Sequence, residues 1–248
     1  MDYFKTNFII VICLSRLTSP IMQQIVQHPI AGNTFSLSND RCVFWEEEKI
    51  LLLSDLHFGK TGHFRKEGIA VPQGVYKDDL QRLVTQIQFF KPQQLVIIGD
   101  MFHSHANKEL DLFKKWRNDF KSLPIQLIKG NHDILKNDWY KDATITVVEN
   151  CLQMGSFSFV HDIAVIQNEL CAARYFFSGH IHPGISIRGI GRQSIQLPCF
   201  YFSQQFAVLP AFSKFTGNHP IKPKPGESVF AILPANHLKN ERGGILKL

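Results

Sequence analysis

The sequence predicts an α/β fold in which two sheets pack together and helices cover the outside. Three observations lead to this prediction. Apolar strand-like runs alternate with helical segments in the first half of the chain, which favours parallel pairing. The second half contains many short extended runs separated by turn residues, which suits hairpins. The chain has 248 residues, 44% of them hydrophobic, and this is enough for one sizeable core.

The first half of the chain provides a hairpin, three buried strands and two helices. Residues 35–37 and 42–45 flank a polar turn, so they predict the hairpin. Residues 50–53, 95–98 and 125–128 are short continuous apolar runs, as expected of strands buried on both faces. The two helices are predicted by apolar residues at helical spacing, namely Leu80, Leu83, Val84 and Ile87, then Leu110, Phe113, Trp116 and Phe120.

Short strands dominate the chain after residue 130. The predicted strands are residues 145–148, 157–160, 175–177, 185–187, 195–197, 206–209 and 229–233. We expect one domain over residues 22–235. An extension or mis-called start would occupy residues 1–21, and a polar, mobile tail would occupy residues 236–248.

The amino-terminal stretch contains an apolar run at residues 8–14. It is too short to cross a bilayer, which needs about 20 apolar residues. Lys5 precedes it as in a signal peptide, but residues 15–20 form a poor cleavage region. The preferred interpretation is a start codon placed too far upstream or a loosely ordered extension, with an export or membrane signal as the alternative.

Charge and cysteine content indicate the compartment and the kind of partner. The net charge is +6 and the isoelectric point is about 9.1, which favours a polyanionic partner such as DNA. The five cysteines are scattered and form no C-x-x-C motif, a pattern typical of reduced intracellular proteins. We therefore expect a cytoplasmic protein with no membrane partner.

Five short polar motifs each follow a strand-like run. They are Asp55-Leu56-His57, Gly99-Asp100, Gly130-Asn131-His132-Asp133, His161 and Gly179-His180-Ile181-His182. Two divalent ions about 3.5–4 Å apart can activate a bridging water and clamp the oxygens of a phosphoryl group. Such a site needs a bridging carboxylate and neutral imidazoles. Each motif alone is an ordinary turn or surface feature, but the five in this order predict a two-metal phosphoesterase site.

Each motif has a predicted part in that site. Asp55 and His57 alternate along an extended segment, so both side chains can point to the same side. Asp100 is the natural bridging carboxylate, and Asn131 offers a neutral amide oxygen. His132 lies beside the metals, where a partly protonated imidazole could donate a proton to the leaving oxygen. Asp133 could orient that imidazole.

These motifs resemble the calcineurin-like metallophosphoesterase superfamily over about residues 51–182. The resemblance implies a four-layer α/β/β/α sandwich, with two packed mixed sheets and flanking helices. It also implies that one ion is held by Asp55, His57, Asp100 and His182. The second ion would be held by Asp100, Asn131, His161 and His180, and His132 would be the proton donor.

A narrower resemblance is to the bacterial ligase-associated DNA damage response endonucleases. The residues that carry it are Asp55-Leu56-His57-Phe58-Gly59-Lys60, Phe64-Arg65-Lys66-Glu67-Gly68-Ile69, Gly99-Asp100-Met101-Phe102-His103-Ser104, Arg192-Gln193, Leu197-Pro198-Cys199-Phe200 and Leu209-Pro210-Ala211-Phe212. It implies a role in DNA repair, with a DNA ligase and a helicase of the same system as partners.

The expected activity is therefore that of a binuclear DNA phosphodiesterase or endonuclease, in which a hydroxide bridging the ions attacks phosphorus in line. Manganese is the expected metal, and iron or zinc would also suit the ligands. Substrate contacts are expected from Lys60, Arg65, His103 and Arg192, because loop cations and imidazoles near the metals can bind phosphates. Two alternatives stay open: a hydrolase of small nucleotide-type diesters, and a non-catalytic DNA-binding subunit of a repair complex.

Overall fold

Two β-sheets packed face to face form the body of the protein. In this computed structural model, the described residues are 24–60, 68, 75–103, 108–164, 173–189, 193–234 and 243–248. The predicted extension at residues 1–21 lies outside them. Within the described residues, no helix is both long and apolar enough to cross a membrane.

The first sheet has seven strands that follow one another in chain order. They are β1 (Ile25–Ile30), β2 (Asn33–Ser38), β3 (Cys42–Trp45), β4 (Ile50–Leu53), β5 (Gln94–Ile98), β6 (Ile125–Ile128) and β7 (Ile145–Val148). Strands β1 to β4 pair antiparallel, and β2 with β3 confirms the predicted hairpin. Strands β4 to β7 pair parallel, because a helix separates each from the next.

Those three helices are α1 (Val75–Phe90), α2 (Lys108–Asp119) and α3 (Asn137–Asp142). The helical spacing in the sequence predicted the first two. All three pack on the outer face of the first sheet through Leu83, Phe113 and Tyr140, among others. The described residues contain no helical layer on the second sheet.

The second sheet is built from the later part of the chain and is also mixed. Its strands are β8 (Cys151–Met154), β9 (Phe157–Val160), β10 (Tyr175–Ser178), β11 (Pro183–Arg188), β12 (Ser194–Phe202), β13 (Phe206–Val208), β14 (His219–Pro220), β15 (Ser228–Leu233) and β16 (Gly244–Lys247). Hairpins alone do not account for it, because β10 pairs parallel with both β9 and β13.

The alternation of side chains along the central strands separates two cores. In β4, Leu51 and Leu53 face the helices, whereas Ile50 and Leu52 face the second sheet. The core between the sheets is rich in aromatic residues such as Phe177. Strands buried on both faces appear in a sequence as continuous apolar runs, which is why the sequence predicted these strands.

Two expectations require correction. The last residues of the predicted mobile tail form β16, which pairs with β15 and buries Ile245. The tail prediction is therefore wrong for residues 244–247. Cys42 and Cys199 are free and buried, but Cys151 is disulfide-bonded, so the expectation of reduced thiols does not hold at that residue.

Candidate metal centre

The predicted ligands gather where parallel strands from both sheets end. Asp55 and His57 follow β4, Asp100 follows β5, and Asn131 follows β6 in the first sheet. In the second sheet, His161 follows β9, and His180 and His182 follow β10. Because neighbouring parallel strands end at the same edge of a sheet, residues far apart in sequence come together here.

The first group of candidate ligands contains Asp55, His57 and His182. The Nε2 atoms of His57 and His182 are 3.3 Å apart, and Asp55 Oδ1 is 3.3 Å from His182 Nε2. Asp55 and His57 are buried, and no described residue offers a hydrogen-bond partner to His57 Nδ1. The three side chains therefore direct ligand atoms at one point.

The second group contains Asp100, His161 and His180. His161 Nε2 is 3.5 Å from Asp100 Oδ2 and 3.1 Å from His180 Nδ1. Asn131 joins this group, because its Oδ1 is 3.1 Å from His161 Nε2. The resemblance implied that Asp100 bridges both ions, whereas the geometry groups Asp100 with His161 and His180.

These spacings fit metal coordination. Two ligand atoms that each lie about 2.0–2.2 Å from one ion, at tetrahedral or octahedral angles, are roughly 3 Å apart. The separations of 3.1–3.5 Å within the two groups match that requirement. Carboxylate, amide and imidazole donors suit manganese, iron or zinc. The residues present thus fit two divalent ions.

The ligand side chains are oriented by a left-handed backbone conformation rather than by the alternation of side chains along a strand. Asp55 and His57 have φ angles of 51° and 49°, and neither lies in a strand. His180 and His182 repeat the pattern with φ of 65° and 50°, and Asp100 has φ of 50°. The prediction that Asp55 and His57 alternate along an extended segment is therefore wrong. Such conformations cost about 1–3 kcal/mol each and cluster at functional sites.

Three glycines make room for the ligands. A Cβ on Gly99 would lie 1.9 Å from His161 Nδ1, and one on Gly130 would lie 2.2 Å from Asp100 Oδ1. A Cβ on Gly179 would lie 2.5 Å from Asp55 Oδ2. The glycine of each motif thus packs against a ligand from a different motif, a constraint that the sequence shows only as a recurrent glycine.

The two groups differ in protonation. Burial and the charge of Lys60 lower the pKa of His57 to about 2, so its imidazole is neutral and ready to bind a metal. Burial alone would lower the pKa of His161, but the Asp100 carboxylate raises it to about 9. Burial likewise disfavours the charged form of Asp100, whereas the hydrogen bond from His161 holds the pKa of that carboxyl at about 2.

Metal binding at the second group is therefore expected to depend on pH. Below pH 9, an incoming ion must displace the proton that His161 shares with Asp100, so affinity should rise about tenfold per pH unit from 7 to 9. The first group should bind its ion with a weaker dependence on pH, because His57 is already neutral. Calorimetric Mn²⁺ titrations at several pH values and in buffers of different ionisation enthalpy measure the released proton. Equal pH slopes for the two ions would contradict this assignment.

His132 lies beside the second group and is partly exposed. Its Nε2 is 4.0 Å from Asp100 Oδ2, and its backbone N–H donates to Asp100 Oδ1 at 2.9 Å. The ring of His103 lies against the His132 ring, with centroids 4.3 Å apart. This location fits the predicted proton donor, and it places His103 next to that donor.

Asp133 has a different part from the one predicted. Its carboxylate oxygens accept backbone N–H groups, from Phe102 at 3.0 Å and from Gly130 at 2.9 Å. No hydrogen bond joins it to the His132 imidazole in the part of the chain that the structure describes. Burial raises the pKa of Asp133 to about 7. Asp133 thus fixes the loops after β5 and β6 rather than the imidazole.

The predicted substrate contacts are only partly visible. Lys60 is half-buried next to the site, where the charges of Asp100 and Asp55 act on its ammonium group. His103 lies beside His132 and His57. Arg65 and Arg192 lie outside the described residues.

Comparison with known proteins places the chain among phosphoesterases. A family model described as calcineurin-like phosphoesterase matches residues 48–198, more than half of the chain. The crystal structure of Pseudomonas putida nuclease MPE superimposes with a TM-score of 0.71 and 28% sequence identity, covering 84% of this chain and 96% of that one. The Escherichia coli phosphoesterase Yfce is similar at a TM-score of 0.40 and 14% identity, over 80% and 97% of the two chains. No curated protein sequence matches.

Proposed function

The chain belongs to the calcineurin-like phosphoesterase family, and on that premise we propose that this metal-dependent phosphoester hydrolase is a DNA phosphodiesterase or endonuclease. The observation that carries the proposal is the pair of ligand groups at one edge of two sheets, in a chain that resembles a nuclease over most of its length. The proposal extends to Mn²⁺ as the metal and to a cytoplasmic role in DNA repair beside a DNA ligase and a helicase.

The two ligand groups and His132 have separate proposed roles in hydrolysis. Two bound divalent ions would supply an activated water and offset charge on the phosphoryl oxygens. Asp55, His57 and His182 would hold one ion, and Asp100, Asn131, His161 and His180 the other. His132 would give a proton to the leaving oxygen, since it lies beside the second group and remains partly exposed to substrate.

Positive charge near the site supports a polyanionic substrate. Lys60 lies three residues after His57, where the charges of Asp100 and Asp55 act on its ammonium group. The net charge of +6 acts in the same direction. A cation beside a metal centre can position a nucleic-acid backbone through its phosphates.

The test compares two substrates. Mn²⁺-dependent cleavage of bis(p-nitrophenyl) phosphate and of nicked or single-stranded DNA should both occur. Binding of DNA should weaken steeply with salt, because phosphate contacts release counterions, whereas the small diester should respond little. Cleavage of the small diester alone would replace DNA with a small nucleotide-type substrate. DNA binding with no cleavage of either substrate would favour a non-catalytic subunit.

The leaving group distinguishes a proton donor from a residue that only binds substrate. Nitrophenolate leaves without a proton, whereas the alkoxide of DNA needs one. His132→Ala should therefore lower the rate on DNA by about 10²–10⁴-fold, the usual contribution of general acid catalysis, and change the rate on bis(p-nitrophenyl) phosphate far less. Equal losses on the two substrates would exclude the proton-donor role.

A further inference from the structure

The strained backbone of Asp55 needs partners that hold it in place. Its N–H donates to Gly99 O at 3.1 Å, and its carboxylate accepts the N–H of His180 at 3.0 Å. A third contact comes from a segment far along the chain, because Asp55 O accepts the N–H of Ser213 at 3.2 Å. A left-handed non-glycine residue persists only where its surroundings fix it, so these contacts matter for the metal site.

We call residues 210–213 the brace segment, because it runs along the first metal motif. The N–H of Phe212 donates to Ser54 O at 2.8 Å, next to the bond from Ser213 to Asp55. Ser54 Oγ donates to Pro210 O at 3.2 Å. The brace segment is not part of a strand, so its carbonyl groups need partners elsewhere.

Two arginines supply those partners. Arg41 Nη1 donates to Ala211 O at 3.2 Å and to Ser213 O at 2.9 Å. Arg82 Nη2 donates to Phe212 O, and its guanidinium carbon lies 4.1 Å from the centre of the Phe212 ring. Three consecutive carbonyls thus accept charge-assisted hydrogen bonds, which are stronger than neutral ones.

Asp79 balances and orients Arg82. Asp79 Oδ1 lies 3.0 Å from Arg82 Nη2 and accepts the N–H of Lys214 at 3.5 Å. Asp79 and Arg82 are 3% and 7% exposed, so the pair is removed from water. Within the described part of the chain, Arg82 Nε lacks a hydrogen-bond partner. Replacing a buried ion pair with apolar residues often leaves the free energy of unfolding unchanged. Stability alone therefore does not account for the pair of Asp79 and Arg82.

We infer that Arg41, Asp79 and Arg82 form a positioning network for the metal-binding motif. They hold the carbonyls of the brace segment, so that its N–H groups fix Ser54 and the left-handed Asp55. Through Asp55, the network sets the geometry of the first ion's ligands. The inference rests on the assignment of Asp55, His57 and His182 as metal ligands. It is tested by measuring metal binding rather than hydrolysis.

The chain offers a matched control for removing a buried arginine. Arg117 is 3% exposed and caps carbonyls as Arg82 does, donating to Ala143 O at 3.0 Å and to Thr144 O at 3.2 Å. Those carbonyls precede β7, at the opposite edge of the sheet from the metal ligands. Arg117→Met therefore removes comparable arginine-to-carbonyl hydrogen bonds at a place remote from Asp55.

The test measures the affinity and number of Mn²⁺ ions bound by each protein in equilibrium dialysis, with thermal unfolding of the metal-free proteins measured in parallel. The double variant Asp79→Asn/Arg82→Met avoids leaving one buried charge unpaired, and Arg41→Met removes the other two carbonyl contacts. Both should bind one ion about 10–100-fold more weakly than the wild type, as changes behind metal ligands do. Asp55→Asn should lose the same ion, whereas Arg117→Met should keep both.

Unchanged Mn²⁺ affinity in both network variants, with unfolding temperatures lowered as in Arg117→Met, would overturn the inference. If the double variant does not fold, the Mn²⁺ affinity of Arg41→Met alone tests the inference. A wild-type protein that binds two ions but cleaves no diester would refute the proposed function and leave the network inference standing. A wild-type protein that binds no Mn²⁺ would refute both.

Discussion

Replacing Asp100 with alanine is expected to abolish hydrolysis of every phosphodiester substrate. Asp100 is 2% exposed, its Oδ2 faces His161, and its Oδ1 accepts the N–H of His132. A bound ion stabilises the transition state by several kcal/mol, and each 1.4 kcal/mol is a factor of ten in rate. The rate should therefore fall by roughly three powers of ten or more.

Two further variants separate loss of the ion from loss of the fold. Asp100→Asn keeps an oxygen that can accept the N–H of His132 but removes the charge, so it should fold and still lose activity. Asp111→Ala removes an exposed aspartate on α2 and should change neither metal content nor rate. Full metal content and full rate in Asp100→Ala would show that the second group is not the catalytic centre.

The Gly99→Ala variant is expected to lose the second ion. Gly99 has φ of 76°, and the added Cβ would lie 1.9 Å from His161 Nδ1 and 2.3 Å from its Cγ. His161 must then move away from Asp100 and His180. We expect Mn²⁺ affinity at that group to fall by about 10–100-fold, and hydrolysis to fall with it.

Gly32→Ala is the matched control for that change. Gly32 has φ of 81°, so alanine there carries the same backbone strain, about 1–2 kcal/mol, but its Cβ would meet no atom of the described residues within 4 Å. It should lose a similar amount of stability and keep both ions. Metal content measured beside the free energy of unfolding tests the pair, and equal metal content in the two variants would contradict the proposed steric role.

The central strands were readable from the sequence because local pattern and burial agree there. Strands β4, β5 and β6 are continuous apolar runs, and α1 and α2 show helical spacing. Strands β1, β8 and β14, the helix α3 and the terminal strand β16 were not predicted. They are short or partly exposed, so their residues carry weak patterns, and packing and pairing in the folded protein stabilise them rather than local pattern.

The sequence by itself determined the reaction class and predicted the candidate ligands, because the side chains that bind metals are few and their order along the strands is local information. Only the tertiary structure decided how those ligands are aimed. It replaced strand alternation at Asp55 and His57 with left-handed backbone, and it placed Asp133 on backbone amides. It also joined Arg41 to Ser213, 172 residues away. Contacts over such separations depend on how the sheets close on each other, and no local pattern encodes that.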